Sequence, residues 1–307
     1  GQGCQEVGMG QELAKSFPQA RLLYEEADAN LGFPLSDLCF EGPAEVLNDT
    51  INTQPAIFVT SLAVMRVLEA EGKLQPPVMA VPAMVAGHSL GELTALAAAR
   101  AMDFGAALCL VRERGRLMKL AGEQSPGGMA AVLKMDDEVV ENACKEATGE
   151  TGTAVQIANY NCPGQVVISG DKEALARAIE LLREQGGRRI VALAVSIAAH
   201  SPLMASVVEE YREAVDGTPM RTPDAPVVAN ISARPLLGVN EIRDELAGQL
   251  TWPVRWTASM QWMVEQGVTR FVEVGPGQVL SKLMRRIEPG VEAVSVGDMA
   301  SVEALAQ

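Results

Sequence analysis

Features that would mark several classes of protein are scarce in this sequence of 307 residues. The five cysteines form no Cys-X-X-Cys pair and no Cys/His cluster, so the sequence supports neither a disulfide framework nor a zinc site. No apolar run reaches the roughly 18 residues of a membrane helix, and no signal peptide is recognisable. We therefore expect reduced thiols, a cytoplasmic location and no membrane partner.

Positive charge is also in short supply. Lys and Arg number 25 against 39 Asp and Glu, which gives a net charge of −14. This balance argues against nucleic acid or an anionic membrane as a partner. The hydrophobic fraction of 48% is ordinary for a globular protein, and the length allows a large core, either as one domain with an inserted subdomain or as two domains.

The strongest pattern that is present is a Gly-X-Ser-X-Gly turn at residues 87–91, between a short apolar segment and an Ala-rich one. Strand, sharp turn and helix is the context of a nucleophile elbow, in which Ser89 stands exposed at a helix N-terminus. We expect that side chains at Gly87 and Gly91 would collide where strand and helix cross. The alternative is a glycine-rich turn without chemistry.

A serine nucleophile needs a base within hydrogen-bond reach, and the chain has only two histidines. His88 adjoins Ser89 and should leave the turn in another direction, which favours a structural role. His200 follows the apolar segment 190–195 and precedes a predicted helix. It is therefore the candidate base, and the alternative is a buried histidine at the start of a helix.

One arginine is predicted to lie on the apolar face of a helix. Arg114 is rotated about 200° from both Arg112 and Arg116, which share the opposite face. A guanidinium in that position needs an anion to offset its desolvation. The anion is either an internal carboxylate or the carboxylate of a substrate, which a guanidinium binds through two parallel hydrogen bonds.

The order of predicted elements indicates an α/β protein with a second unit in its middle. From about Gly127 to Val195 the pattern is strand, helix, strand, strand, helix, strand, which is the ferredoxin-like arrangement. Strands and helices alternate again after His200, and the alternation predicts a parallel sheet covered on both faces. The segments that predict this middle unit are 129–133, 136–147, 154–159, 165–169, 172–185 and 189–195.

Several segments, in order along nearly the whole chain, resemble one family: the malonyl-CoA:acyl carrier protein transacylases of fatty acid and polyketide synthesis. The nucleophile segment from Gly87 to Glu92, the pair Arg114-Gly115 and the base segment from His200 to Met204 match its pattern. The other matching segments are Gly1 to Gln5, Asn159 to Gln165, Gln249-Leu250 and Val274 to Gly277.

The resemblance implies a fold and a division of the chain. The expected fold is an α/β-hydrolase-like core with a parallel sheet plus an inserted ferredoxin-like subdomain. Residues 1–126 and 197–307 would form the catalytic core and residues 127–196 the small subdomain, with the active site between them. Family members normally begin with a strand ending in Phe-Pro, whereas this sequence begins at Gly1, so we expect that a strand precedes it.

The resemblance also implies a mechanism. His200 would remove the proton of Ser89, which attacks the malonyl thioester of coenzyme A, while the backbone N–H groups of Gln2 and Leu90 stabilise the oxyanion. The malonyl group would then pass from Ser89 to the phosphopantetheine thiol of acyl carrier protein without a metal or redox cofactor. A backbone carbonyl near Gln249 or Leu250 would orient the histidine, which gives a Ser-His dyad.

Substrate-binding residues follow from the same resemblance. Arg114 would hold the malonyl carboxylate, and the other implied substrate-binding residues are Asn159, Ala199 and Gln249. Ala199 precedes the candidate base where family members often carry phenylalanine or serine, so the choice between malonyl and methylmalonyl stays open, although Leu90 favours malonyl.

Acyl carrier protein is acidic, so its docking would need local positive surface. One candidate patch is Lys282, Arg285 and Arg286, and another is Arg188 with Arg189; the alternative for either is a solvated surface.

Two rival functions remain, a serine esterase or thioesterase with the same Ser89 and His200, and a binding subunit without turnover.

Overall fold

The structure is a computed structural model that describes residues 2–73, 83–195 and 197–305. Helices and short strands alternate along the chain and give a mixed α/β protein, as expected. The helices are α1 (Gln11–Ser16), α2 (Pro18–Leu31), α3 (Leu35–Glu41), α4 (Ala44–Leu47), α5 (Thr50–Ala70), α6 (Leu90–Ala98), α7 (Phe104–Gln124), α8 (Asp137–Thr151), α9 (Lys172–Glu184), α10 (Val208–Gly217), α11 (Val239–Gln249), α12 (Trp256–Glu265), α13 (Val279–Ile287) and α14 (Met299–Ala304). The strands are β1 (Val85–Ala86), β2 (Gly127–Leu133), β3 (Val155–Cys162), β4 (Gln165–Asp171), β5 (Arg189–Ala192), β6 (Val227–Val228), β7 (Pro235–Leu236), β8 (Arg270–Val274) and β9 (Glu292–Val296).

Helix α5 is the centre of the largest hydrophobic core. Its residues from Thr53 to Ala63 are buried on every face of the helix, and α2, α6 and α7 pack around it. By length and composition α5 is also the one helix of the described residues that passes a test for crossing a membrane, but 78% of the tested window is buried inside the protein. A core helix of a globular protein has these same properties.

The strands of the larger unit form short sheets. β1 and β6 are parallel, β7 adds to β6 in the antiparallel sense, and β8 and β9 form a separate parallel pair. The parallel pairing that the alternation predicted is therefore present within the described residues, but it is divided between two sheets. β6 ends at Val228, and Asn230, two residues further on, turns its side chain toward the end of β1.

The middle of the chain forms a four-stranded antiparallel sheet in the order β3-β4-β2-β5. Helices α8 and α9 cover one face of it around a separate apolar core that includes Val132, Ile157 and Leu181. Chain order through this region is strand, helix, strand, strand, helix, strand, as the sequence predicted. The last strand is shorter than expected, since β5 ends at Ala192 rather than Val195.

Backbone hydrogen bonds join this sheet to the rest of the molecule at β3. The amide of Tyr160 donates to the carbonyl of Val254 at 2.9 Å, and the amide of Val254 donates to the carbonyl of Ala158 at 2.8 Å. The segment that leads into α12 therefore runs alongside β3, and a cleft lies between the two parts.

Candidate active site

The Gly-X-Ser-X-Gly turn connects β1 to α6. Ser89 is the N-cap residue of α6 and has φ 54° and ψ −114°, a conformation that L-residues rarely adopt. A Cβ on Gly87 would lie 1.8 Å from the carbonyl oxygen of Gly91, so strand and helix meet here too closely for any side chain. The expectation for Gly91 was wrong, because a Cβ built there meets no atom within 4 Å.

Asn230 holds the elbow from the neighbouring strand. Its Oδ1 accepts a hydrogen bond from the backbone N–H of Ser89 at 2.7 Å, and its Nδ2 donates to the carbonyl of Gly87 at 2.7 Å. The side chain is 1% exposed, so these bonds do not compete with water. Asn230 therefore fixes the strained turn on both sides of the serine.

Ser89 and His200 are in direct contact. The distance from Ser89 Oγ to His200 Nε2 is 2.7 Å. On the other side of the ring, His200 Nδ1 lies 2.8 Å from the carbonyl oxygen of Gln249 and 3.2 Å from that of Trp252. Because carbonyl oxygens only accept hydrogen bonds, Nδ1 carries the proton, and Nε2 is left to accept the hydroxyl proton of Ser89.

The environment of His200 keeps the ring neutral. Burial and, to a smaller extent, the positive charge of Arg114 lower its pKa from 6.5 to about 3. Two backbone carbonyls oppose that shift, and within the described residues no carboxylate hydrogen-bonds to the ring. Among the acids between serine and histidine in the sequence, Asp171 caps the start of α9, where it accepts from the N–H of Glu173 at 2.8 Å.

Arg114 reaches Ser89 from α7. Its Nη2 lies 3.2 Å from Ser89 Oγ and donates to Gln249 Oε1 at 2.7 Å, while Nη1 donates to Gln54 Oε1 at 2.8 Å. The residue is 1% exposed, and it takes part in no ion pair of the described residues, all of which involve side chains at least 30% exposed. Amide oxygens therefore hold the guanidinium, and no internal carboxylate within 4 Å neutralises it.

Gln249 and Glu92 form a buried polar layer behind these groups. Gln249 Nε2 donates to Glu92 Oε2 and, at 3.1 Å, to the carbonyl of Ser89. The backbone N–H of Asn230 donates to Glu92 Oε1 at 2.8 Å. Burial raises the pKa of Glu92 well above 4.5, and the nearby carboxylate of Glu245 raises it further.

The other histidine contacts the small sheet rather than the nucleophile. His88 Nε2 lies 2.9 Å from Asn161 Oδ1, and its ring centroid is 5.6 Å from that of Trp256. Burial lowers the pKa of His88 to about 4. These contacts support the structural role that the sequence favoured for it.

The cleft beside Ser89 has a volume of about 660 Å³. Its lining includes five of the residues expected at the site, namely Gln2, Ser89, Asn159, Ala199 and His200. Leu90, Arg114 and Gln249 are each 1% exposed. Leu90 is the first residue of α6, so its N–H has no partner within the helix and is available to a substrate oxygen. Across residues 2–73, 83–195 and 197–305, no group of three His, Cys, Asp or Glu side chains is arranged to hold a metal ion.

Residues 1–304 match the acyl transferase domain family. The chain belongs to this family. Among curated proteins, it is 41% identical over 303 residues to a malonyl CoA-acyl carrier protein transacylase of Bacillus subtilis, covering 99% of this chain and 93% of that protein. It is 40% identical to the protein of the same name from Escherichia coli, covering 99% and 96%.

Solved structures of this acyl transferase family superpose closely on the chain. An acyl carrier protein S-malonyltransferase from Vibrio cholerae has a TM-score of 0.94 at 39% identity, with 99% of this chain and 97% of that chain covered. A malonyl-transacylase solved in complex with a type II polyketide synthase acyl-carrier protein has the same TM-score and identity, with 100% and 96% covered. The family resemblance inferred from the motifs is thus confirmed.

Sequence reasoning missed three of the polar residues around the site. Gln54 and Asn230 are ordinary amides in the sequence, and only the fold brings them to Arg114 and to the elbow. Glu92 follows Ser89 by three residues and stood in the recognised motif, but its partners lie more than a hundred residues away. Its position on the buried first turn of α6 was the one available signal.

Proposed function

We propose that this acyl transferase moves a malonyl group from coenzyme A through an ester on Ser89 to the phosphopantetheine thiol of acyl carrier protein. The relatives named above carry this activity in their names, and the proposal makes the chain an acyl-carrier-protein S-malonyltransferase of fatty acid or polyketide synthesis. One observation carries the substrate class: the Arg114 guanidinium, with no carboxylate of the described residues within 4 Å, lies 3.2 Å from the Ser89 hydroxyl. An unneutralised buried cation beside a nucleophile fits an acyl group that carries its own carboxylate.

In the first step His200 acts as the base. Its Nε2 takes the hydroxyl proton as Ser89 Oγ attacks the thioester carbonyl, and the Gln249 and Trp252 carbonyls stabilise the imidazolium that forms. The backbone N–H groups of Leu90 and Gln2 stabilise the oxyanion. The imidazolium then returns its proton to the departing thiolate of coenzyme A, and the malonyl group stays on Ser89 as an ester.

In the second step the chemistry runs in reverse with a different thiol. The thiol of acyl carrier protein gives its proton to His200 and attacks the ester carbonyl of malonyl-Ser89, and the proton then passes to Ser89 Oγ as it leaves. Each step uses a hydroxyl, an imidazole and hydrogen-bond donors of the chain, so the proposal calls for no metal or redox cofactor. Asn159, Ala199 and Gln249 would line or support the acyl site.

The fold assigned to this function has two parts. Residues 1–126 and 197–307 would be an α/β-hydrolase-like catalytic core, and residues 127–196 a ferredoxin-like subdomain. Support for the first comes from the strand, elbow and helix around Ser89 and from the parallel pair β1–β6. Support for the second comes from the strand order β3-β4-β2-β5 with two helices on one face. The match over nearly the whole chain to the named transacylases supports placing the enzyme in the cytoplasm.

The proposal is tested by intact-mass measurement after mixing the protein with malonyl-CoA. We expect one malonyl adduct on the wild type, none on Ser89→Ala, and an unchanged adduct on the control Ser16→Ala, whose serine is exposed at the end of α1. Acyl carrier protein added afterwards should discharge the adduct and gain the malonyl mass. Rapid loss of the adduct to water instead would make the protein a thioesterase, and absence of an adduct would leave a binding subunit.

A further inference from the structure

We propose that Glu92 is a positioning residue for malonyl recognition: its carboxyl group fixes the side-chain amide of Gln249, and that amide in turn orients Arg114. The inference rests on the proposed function, because the selectivity that it explains is for a malonyl group.

Glu92 contacts both halves of the site without touching the cleft. It lies on the first turn of α6, three residues after Ser89, and is fully buried. Its Oε1 accepts from the backbone N–H of Asn230 at 2.8 Å and from its Nδ2 at 3.3 Å. Its Oε2 accepts from Gln249 Nε2. Both oxygens of the carboxyl group therefore face hydrogen-bond donors.

These contacts settle which end of the Gln249 amide faces the arginine. The Nε2 end donates to Glu92 and to the carbonyl of Ser89, so the Oε1 end points to Arg114 Nη2 at 2.7 Å. With the amide reversed, an NH₂ group would meet the guanidinium and an oxygen would meet the carbonyl oxygen of Ser89. Both contacts would then lack a donor–acceptor match, and in a buried layer such mismatches are costly.

The orientation of Gln249 matters because it is one of two amides that hold Arg114. The other is Gln54, whose Oε1 accepts from Nη1. Together the two oxygens aim the guanidinium so that Nη2 also reaches Ser89 Oγ at 3.2 Å. Without the hydrogen bond from Arg114 to Gln249, the guanidinium keeps its charge but its orientation is no longer fixed. This loss should weaken binding of a malonyl carboxylate more than it slows attack by Ser89.

Glu245 is the other buried acid beside this layer and offers a matched comparison. It is 7% exposed, and its Oε1 accepts from the backbone N–H of Ile231 at 2.7 Å. Burial raises the pKa of Glu245 as it does that of Glu92, and the two carboxyl groups repel each other when both are ionised. Glu245 bonds to the backbone of Ile231 and Asn230 and to the Glu92 side chain, but not to Gln249, so it shares the charge environment of Glu92 without the contact that the proposal depends on.

The test compares Glu92→Gln with Glu245→Gln and the wild type. The first variant keeps the shape of the side chain but puts an NH₂ group against either Gln249 Nε2 or the Asn230 N–H. Single-turnover acylation is measured with malonyl-CoA and with acetyl-CoA, and the ratio of the two kcat/KM values is the readout. We expect Glu92→Gln to lower the malonyl-to-acetyl ratio about tenfold to a hundredfold, the size of one hydrogen bond to a charged group, and Glu245→Gln to change it less than about threefold.

If Glu92 only stabilised the elbow, its substitution would change the rates of malonyl and acetyl transfer by the same factor. If Glu92→Gln slows malonyl and acetyl transfer by the same factor, or leaves both unchanged, the proposal is wrong. If Glu92→Gln does not fold, Gln249→Met is measured instead. Its malonyl-to-acetyl ratio of kcat/KM values should fall to a similar extent, and an unchanged ratio would overturn the proposal. The wild-type malonyl adduct is recorded first, so failure of the proposed function is recognised separately.

Discussion

Ser89 and His200 both have a backbone conformation in the left-handed half of φ space, with φ values of 54° and 57°. Neither is glycine, so each position carries backbone strain of order 1–3 kcal/mol that the surrounding contacts must offset. Asn230 supplies such contacts at the elbow, and the carbonyls of Gln249 and Trp252 supply them at the histidine ring. The short distance between serine and imidazole is thus a product of rigid surroundings on both sides.

The lowered pKa of His200 predicts an unusual pH profile. Catalysis needs the neutral ring, and burial together with Arg114 lowers the pKa to about 3. Acylation of Ser89 by malonyl-CoA should therefore be nearly constant from about pH 8 to about pH 5, measured as a single-turnover rate. A sigmoidal loss centred near the ordinary histidine value of about 6.5 would contradict this account of the site.

The lowered pKa of His200 also makes the free energy of unfolding depend on pH. Between about pH 6.5 and about pH 3 the unfolded chain binds a proton on this histidine that the folded chain does not. Protonation there favours the unfolded state, so the contribution of His200 to stability is complete above that range and is lost as the pH falls through it.

The sequence singled out residues that the structure brings together where local pattern and chemistry coincide. Ser89 stood in a turn motif, His200 was one of only two histidines, and Arg114 stood on the wrong face of its helix for a solvated charge. The amide partners could not be found in this way, because Gln54 and Asn230 lie in no motif. Their roles depend on contacts between segments 60 to 141 residues apart.

At the scale of elements, the crossing of β1 and α6 decides whether the elbow forms. Gly87→Ala should destabilise the protein by about 3 kcal/mol or more, because its Cβ would overlap the carbonyl of Gly91 and the backbone cannot yield. Gly91→Ala is the matched control. It lies in the helix with open space around its Cβ, so its stability should change by less than about 1 kcal/mol, or rise.

Denaturant unfolding of the two variants measures the difference directly. Equal destabilisation of both would show that the second glycine of the motif is also required by packing, contrary to the geometry described here. The sequence argument treated the two glycines alike, because a pattern of residue types carries no information on which backbone atoms approach each other.

The boundaries of helices and strands also show which features the local sequence can predict. The amphipathic helix α9 was predicted within one residue of its ends, since apolar spacing defines it. Short strands were less well predicted. β5 ends before its predicted limit, and the residues that follow it, Leu193 to Val195, line the cleft, although the Leu193 N–H still donates to the Met129 carbonyl at 2.9 Å.

For the whole molecule, the net charge of −14 poses the question of how an acidic carrier protein docks. The patch of Lys282, Arg285 and Arg286 lies on α13, whose Val279 and Leu283 line the cleft. Two of its three members already have partners: Arg286 donates to Gln165 Oε1 and Arg285 to the carbonyl of Ala293. Charge reversal at Arg286 would therefore also disturb the join between α13 and β4.

Lys282→Glu tests the docking surface without that complication, because Lys282 is exposed. We expect the KM for acyl carrier protein to rise about threefold to tenfold at low salt, with malonyl-enzyme formation unchanged, since a charge at the rim changes association. The control Lys145→Glu makes the same change on α8, a helix that contributes no residue to the cleft lining, whereas α13 contributes Val279 and Leu283. Equal effects of the two variants would mean that net charge, not this patch, governs docking.

The central claim is that Arg114 recognises the carboxylate of the acyl group, and the most direct measurement is intact-mass acylation of Arg114→Ala. Malonyl-CoA, methylmalonyl-CoA and acetyl-CoA are offered in turn to this variant, to the wild type and to Arg112→Ala, which changes a neighbouring arginine bonded to the Ile51 carbonyl instead. We expect malonyl loading of Arg114→Ala to fall at least about thirtyfold, the value of a hydrogen-bonded charge pair, while acetyl loading holds or rises. If Arg114→Ala loads malonyl as readily as the wild type does, the arginine is a structural residue and the proposed substrate class is wrong.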